Sequence, residues 1–236
     1  MKLSVVMPAY NEESLIESAI DEVRERVFSV VPRAELIVVN DGSSDGTGRI
    51  LDRISKEDPR VLVYATSRVG HGPALLEALS HARGEFILLL DSDRQIPLDA
   101  FAAAWERAQG LDAVLGTRSS RDDPWVRLFI TTVLRSWIRL RFRCRLQDAN
   151  CAFKIVRRDL WALMEPHIPR HSLIPSIYIA ILLKRSRSGV VEYPVPYRQR
   201  PGGETRLHLK HLIVFCSTAF FQLEAFRRTL GGIPTI

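Results

Sequence analysis

The chain has 236 residues, 46% hydrophobic and 25% charged, enough apolar material for a packed core, which excludes a disordered or low-complexity chain. The formal charge of +6 is modest, and Cys144, Cys151 and Cys216 are odd in number and lack metal-ligand spacing, which argues against a disulfide framework and for a reducing compartment. Met1-Lys2-Leu3-Ser4 runs straight into a strand pattern, without the apolar core and small-residue cleavage site of a signal peptide, so a cytosolic chain is expected.

Taken in order, the first half alternates. Strands are predicted over Leu3 to Met7, Glu35 to Val39, Val61 to Tyr64, Phe86 to Leu90 and Ala113 to Leu115. Helices are predicted over Ser14 to Phe28, Thr47 to Lys56, Pro73 to Ala82 and Leu98 to Gln109. Short strands separated by helical stretches imply right-handed crossovers and a mostly parallel sheet covered on both faces. This is a Rossmann-like α/β layer of the nucleotide-binding type.

After Gly116 the pattern changes. Eight arginines lie between Arg118 and Arg145, interleaved with aromatic and aliphatic residues. On a helix, Phe129, Ile130, Val133, Trp137 and Leu140 share one side, while Arg127, Thr131, Arg135 and Arg139 follow at four-residue spacing on another. Such a basic amphipathic helix suits the headgroup layer of an anionic membrane, and equally a core-packed helix with a solvated cationic face. No nucleic-acid-binding module accompanies the charge. A strand over Ala152 to Val156, helices over Leu160 to Met164 and Ile174 to Lys184, and a strand over Val190 to Val195 lead through an Arg200 to Arg206 loop into a final amphipathic helix. The apolar stretch Leu212 to Leu223 has 12 residues, short of the roughly 20 that span a bilayer. No linker separates the halves, so one domain over 1–236 is expected, with a nucleotide half (1–116) and an acceptor, membrane-facing half (117–236).

The chemistry concentrates where strands end. Phe86-Ile-Leu-Leu-Leu terminates abruptly in Asp91-Ser92-Asp93-Arg94-Gln95. A central strand of a parallel sheet delivers its carboxyl end to a ligand crevice, and carboxylates placed there need a cation or hydrogen-bond donors. Mg²⁺ or Mn²⁺ holding a diphosphate is the natural partner, because hard cations take oxygen ligands and combine one or two carboxylates with substrate phosphates. An ordinary turn or helix cap is the alternative. Pro8-Ala9-Tyr10-Asn11-Glu12 and Asn40-Asp41-Gly42-Ser43-Ser44-Asp45-Gly46-Thr47 end two further strands on the same edge. Tyr10 can stack on a base, Asp41 can accept from base N–H groups, and Asp45 reads as a helix cap.

These motifs, with Gly116-Thr117-Arg118, Asp148 through Arg158 and Gly203-Glu204-Thr205-Arg206, resemble the family-2 glycosyltransferases of GT-A fold. They are closest to the dolichyl- or polyprenyl-phosphate sugar (mannose) synthases, and the likeness covers about 200 residues. The resemblance implies that Pro8, Tyr10, Glu12, Val39 and Asp41 hold the nucleotide and that Ser92 lies against the ribose or diphosphate. It implies that Asp91, Asp93 and Gln95 surround Mg²⁺ or Mn²⁺, and that Arg118, Arg127, Arg200 and Arg206 gather phosphates, a role to which the guanidinium fork is suited. The chain departs from the family at Asn40, Arg94, Ile96-Pro97, Arg206, the Asp148 to Lys154 segment and Arg68-Val69-Gly70-His71-Gly72, where relatives often carry Asn and a glycine-rich turn. His71 reads as a solvated loop residue that can also touch the sugar.

The expected activity is inverting, metal-dependent transfer of a sugar from a GDP- or UDP-sugar to a polyprenyl phosphate at the membrane surface. The chain would work as a peripheral protein at the cytoplasmic face, with or without a separate membrane-anchoring subunit. Asp91, Asp93, Arg118, Arg127 and Arg200 carry the reaction in this reading. A phosphate monoester is its own nucleophile, so no general base is required, and Asp148 is the leading base if the acceptor is a hydroxyl. The alternatives are a family-2 transferase acting on a sugar hydroxyl or other lipid, and a non-catalytic nucleotide-sugar-binding scaffold.

Overall fold

The computed structural model describes residues 1–119, 125–186, 189–199 and 209–230, with side chains except at 125–130 and 209–216. In chain order the elements are β1 (Leu3–Ala9), α1 (Ile16–Val23), β2 (Ala34–Asp41), α2 (Thr47–Glu57), β3 (Val61–Thr66), α3 (His71–Ser80), β4 (Phe86–Leu89), α4 (Phe101–Ala108), β5 (Ala113–Arg118), α5 (Trp125–Phe142), β6 (Lys154–Arg157), α6 (Arg158–Met164), α7 (Pro175–Arg185), β7 (Val190–Val195) and α8 (Leu209–Leu230). A π-helical turn, Arg24–Phe28, continues α1, and a 3-10 turn, Leu98–Ala100, leads into α4.

All residues of β1 and β4 are buried, as their near-continuous apolar runs require of strands covered on both sides. The sheet order is β3-β2-β1-β4-β6-β5-β7. β1 pairs in parallel with β2 and β4, β2 with β3, and β5 with β7. β6 runs antiparallel to both β4 and β5, so the mostly parallel sheet carries one reversed strand in its interior.

The strand period of two divides the core. Val6, Ile37, Val39, Ile87 and Leu89 face α3, α5, α7 and α8. Val5, Met7, Leu36, Val38 and Leu88 face α1, α2 and α4. Each fully buried aliphatic side chain contributes about 1.5–3 kcal/mol, so these two layers dominate the driving force.

The Arg-rich helix packs by a different side from the one its sequence pattern suggests. Ile138 and Phe142 of α5 are buried, with Leu134 partly covered, whereas Val133 and Leu140 are exposed. Trp137 lies between the two sides and meets Phe220 of α8 at 5.1 Å between ring centres, and Arg141 forms a bidentate pair with Glu224 at 2.8 and 3.0 Å. Val133, Leu140, Phe220 and Phe221 are left exposed, while the partly covered Trp137 also packs against the core. Phe129, Ile130 and Arg127 have side chains outside the described set. Among the described residues no helix is long and apolar enough to cross a membrane.

At the edge remote from the strand ends, Ser4 donates to Glu35 at 2.6 Å and accepts the Gly84 amide at 2.7 Å, which satisfies the buried polar atoms there. Beyond α2, the Asp58 carboxylate accepts from Arg60 at 2.9 and 3.0 Å and from Arg24 at 3.1 Å. The Arg60 hydrogen bonds outweigh burial and hold Asp58 at about 2, below its ordinary 3.8. A depressed carboxyl pKa gives stability that is present above the unfolded value and lost as pH falls through the folded one, here between about 4 and about 2. Urea denaturation should show Asp58→Asn less stable by ~1–2 kcal/mol at pH 7, allowing for the half-exposed Arg60. The difference from the wild type should close as the pH approaches 2.

Candidate functional site

The β1–β2 register sets Pro8 beside Val39 and Ala9 beside Asn40, and the Leu90 amide donates to the Val6 carbonyl at 3.0 Å. Three turns therefore leave the sheet at one level, which brings Tyr10, Asp41 and Asp91 to a common crevice edge. The first two turns are laced together. Asn11, in the left-handed region at φ 52°, accepts the Ser44 amide at 2.8 Å. The Ser43 amide donates to Asn40 at 3.1 Å, and the Glu12 amide to the Thr47 hydroxyl at 2.8 Å. Asp45 accepts the Thr47 amide at the start of α2, as expected of a cap. Gly42 has φ 65°, and a Cβ there would lie 2.8 Å from the Arg68 nitrogen, so the turn requires glycine.

Asp41 is buried, and both its oxygens are occupied. Oδ1 accepts from the Thr66 hydroxyl at 2.8 Å and the Val69 amide at 2.6 Å; Oδ2 accepts from Arg68 and the Gly70 amide at 2.9 and 2.8 Å. Burial pushes its pKa up, but these donors win and hold it below the usual carboxylate value. The Arg68 guanidinium also covers the Tyr10 ring, 3.5 Å from its centre. The ring and the carboxylate expected to meet a base are thus both engaged by one side chain.

His71 follows Gly70 and opens α3, anchored because Gly72 packs on the Ser172 carbonyl where a Cβ would be 1.9 Å away. Its side chain is exposed, as the sequence suggested, and its Nε2 lies 3.0 Å from Asp91 Oδ1. Burial opposes a charge on the imidazole; the hydrogen bond to Asp91 and the charges of Asp91, Asp93 and Asp41 outweigh it and raise its pKa. Asp91 is shifted the opposite way: burial opposes its charge, while His71, Lys154 and Arg118 favour it, and its pKa is lowered. The carboxylates sit at the rim of the crevice, with the Asp91 side chain 40% exposed. Ser92 is buried between them.

The remainder of this loop is clamped from two sides. Asp93 accepts the Gln95 amide at 3.0 Å, and Arg94 stands at φ 57° with its Nε on Glu22 at 2.9 Å. Glu22, from α1, also accepts the Leu98 amide at 3.0 Å. After β7, Tyr197 accepts from the Gln95 side chain at 3.0 Å, and Arg198 donates its amide to the Gln95 carbonyl and its Nε to the Arg94 carbonyl at 2.9 and 3.0 Å. Glu22, Tyr197 and Arg198 carried no sequence signal; the unusual Arg94 was the only pointer to them.

Arg118, at the end of β5, forms a bidentate pair with Asp148 at 2.6 and 2.9 Å and lies 5.2 Å from the centre of Tyr197. Burial would lower the guanidinium pKa, but Asp148 raises it. The residue named as a possible base is therefore committed to an arginine. Beneath, the buried Lys154 of β6 donates to the Cys151 carbonyl and to the Ser176 hydroxyl, the latter at 2.7 Å. Burial leads in lowering its pKa. Pro8 and Val39 lie in the sheet at the crevice, and Glu12 is buried below the first turn. Arg200 and Arg206 lie outside the described residues, as does the side chain of Arg127.

Among the described residues, no three His, Cys, Asp or Glu side chains form a metal cage of their own. The two carboxylates and the amide at the loop tip are the donors a hard cation takes when phosphate oxygens complete its shell, so the residues present fit Mg²⁺ or Mn²⁺.

Residues 4–160 match the family described as Glycosyl transferase family 2. The chain is 30% identical over 218 residues to Glycosyltransferase AglD of Haloferax volcanii, covering 89% of this chain and 35% of that protein. It is 27% identical to Dolichyl-phosphate beta-glucosyltransferase ALG5A of Trichomonas vaginalis over 87% of this chain and 68% of that one. It is 28% identical to the Undecaprenyl-phosphate 4-deoxy-4-formamido-L-arabinose transferase of Edwardsiella ictaluri over 89% and 64%. The chain thus spans about a third of the first relative and about two thirds of the others. In structure it superposes on glucosyl-3-phosphoglycerate synthase from Mycobacterium tuberculosis, crystallised with Mn²⁺, UDP and glucosyl-3-phosphoglycerate, at a TM-score of 0.70 and 21% identity, covering 99% of this chain and 81% of that one. With its seven-stranded GT-A sheet, this chain belongs to glycosyl transferase family 2.

Proposed function

We propose that the protein transfers a sugar, with inversion, from a nucleoside diphosphate sugar to the phosphate of a polyprenyl-type lipid. The observation that carries this is the convergence of the three strand-end turns, with Asp91 and Asp93 beside the Asp41 turn and Arg118 beyond them. The naming of two relatives for dolichyl and undecaprenyl phosphates supports the acceptor class.

In this proposal Tyr10 and Asp41 take the base, with Pro8, Glu12 and Val39 shaping its surroundings and Ser92 against the ribose or diphosphate. Asp91, Asp93 and Gln95 hold Mg²⁺ or Mn²⁺, which when bound neutralises charge on the diphosphate. Arg118, Arg127, Arg200 and Arg206 gather phosphate and align the acceptor. An acceptor phosphate oxygen forms the new bond to the anomeric carbon from the face opposite the diphosphate, whose oxygen leaves with the electron pair of the broken bond. Correct alignment alone contributes about 7 kcal/mol or more in favourable cases. The commitment of Asp148 to Arg118 favours an acceptor that is already anionic over a hydroxyl that must be deprotonated. Exposed Val133, Leu140, Phe220 and Phe221 around the partly covered Trp137, flanked by exposed Arg135 and Arg139, form the surface that would rest among anionic headgroups.

The test is a panel of UDP- and GDP-sugars with polyprenyl phosphate or a lipid alcohol, read by the mass of the lipid product. Product is expected with the phosphate only, and Asp93→Ala should lower turnover at least about 100-fold; near-normal turnover would remove the metal role. Glu22→Gln keeps the fold and loosens the Asp91–Gln95 loop, so half-saturation of the reaction should need roughly tenfold more Mn²⁺. An unchanged Mn²⁺ requirement would show that this clamp does not serve the metal loop.

A further inference from the structure

Arg68 lies between β3 and α3, with its backbone in the left-handed region at φ 56° and its nitrogen pressed against Gly42. Its guanidinium does two things at once. It lies over the Tyr10 ring at 3.5 Å from its centre, and it donates NH1 to Asp41 Oδ2 at 2.9 Å. A planar group that stacks on this ring while pairing an N–H with this carboxylate makes the two contacts assigned above to the donor's base. We propose that Arg68 is a self-ligand of the base subsite, which the incoming nucleotide must displace, so that Arg68 sets donor affinity. The proposal rests on the assignment of Tyr10 and Asp41 to the base.

Exchange, rather than joint occupancy, follows from counting acceptors. An ionised carboxylate offers about four lone-pair sites, and all of those on Asp41 are taken, by Thr66 and Val69 on Oδ1 and by Arg68 and Gly70 on Oδ2. Two of these donors are backbone amides fixed by the turn, and Thr66 belongs to β3. Arg68 is the mobile member, since its side chain is 53% exposed and regains water on leaving, whereas that of Asp41 is 2% exposed. A base resting on the outer face of the guanidinium would stay a full ring thickness from Tyr10 and would find no vacant position on Asp41.

The arrangement also explains how the site tolerates a buried carboxylate. With no nucleotide present, the guanidinium compensates the Asp41 charge, and an uncompensated buried charge is strongly disfavoured. Removing Arg68 therefore has consequences of opposite sign: the nucleotide-free protein loses stability, and the nucleotide meets no competitor. A residue with only a structural role would weaken both, and a residue that grips the nucleotide directly would weaken binding.

The experiment is calorimetric titration of the full chain with UDP and with GDP in the presence of Mn²⁺, alongside the melting temperature of the nucleotide-free protein. Arg68→Ala should bind the accepted nucleotide about tenfold more tightly while melting lower than the wild type. Arg68→Lys keeps a charge beside Asp41 but lacks the planar fork, so it should fold if the alanine variant does not and show a smaller gain of the same sign. Unchanged or weaker binding in these variants overturns the role of Arg68 and leaves the donor site standing. Failure of the wild type and both variants to bind either nucleotide overturns the donor-site assignment and the self-ligand with it.

Discussion

A carboxylate at the mouth of a buried strand must be met by donors or cations, and the carboxyl edge of this sheet is organised by that requirement. Asp41 is met by two amides, a hydroxyl and a guanidinium, Asp91 by His71, and Asp148 by the fork of Arg118. The pairs share neighbours. Gly70 serves Asp41 while the next residue, His71, serves Asp91, so the turn after β2 and the acidic turn after β4 are joined through one dipeptide. Lys154 and Arg118 add positive charge behind Asp91. The edge is thus a field of compensated acids, in which an arriving cation or phosphate trades one partner for another and does not enter an empty cavity.

The acidic loop after β4 is held from elements far apart in sequence. Glu22 comes from the first helix and Arg198 from the segment after the last strand, and they meet over a backbone that includes Arg94 in its left-handed conformation. Left-handed backbone at a non-glycine residue costs of order 1–3 kcal/mol and persists only where surrounding contacts fix it. Here the Glu22 pair and the Arg198 bonds to two successive carbonyls supply that fixation. The same Arg198 belongs to the segment that follows β7, so the geometry of the acidic loop and the course of that segment are set together.

The sheet was legible because its strands are apolar runs bounded by turn residues; Leu3 to Met7 and Phe86 to Leu90 correspond to β1 and β4 within two residues. The reversal of β6 was not legible, since a four-residue strand gives no sign of its direction, and the buried Lys154 within it reads as a surface residue. α5 misled in a different way. It carries two apolar sides, Val133–Trp137–Leu140 and Leu134–Ile138–Phe142, and helical periodicity cannot tell which faces the sheet. Asp91, Asp93 and Asp41 announced themselves through position at strand ends, whereas Glu22 and Tyr197 are defined only by partners about 70 to 100 residues away.

The interior placement of β6 bears on how such chains diversify. β4 pairs with β1 on one side and β6 on the other, while β5 pairs only with β6 and β7. Both neighbours of β5 therefore come from the portion of the chain that follows it, and the β6 segment is stitched between two strands that precede it. Neither portion owns a closed set of strand pairings, so the part after β5 cannot be exchanged as a cassette between relatives. A chimera that keeps its sheet intact must carry β6 and Lys154 across with it, so divergence in the part after β5 is confined to changes that leave this shared seam undisturbed.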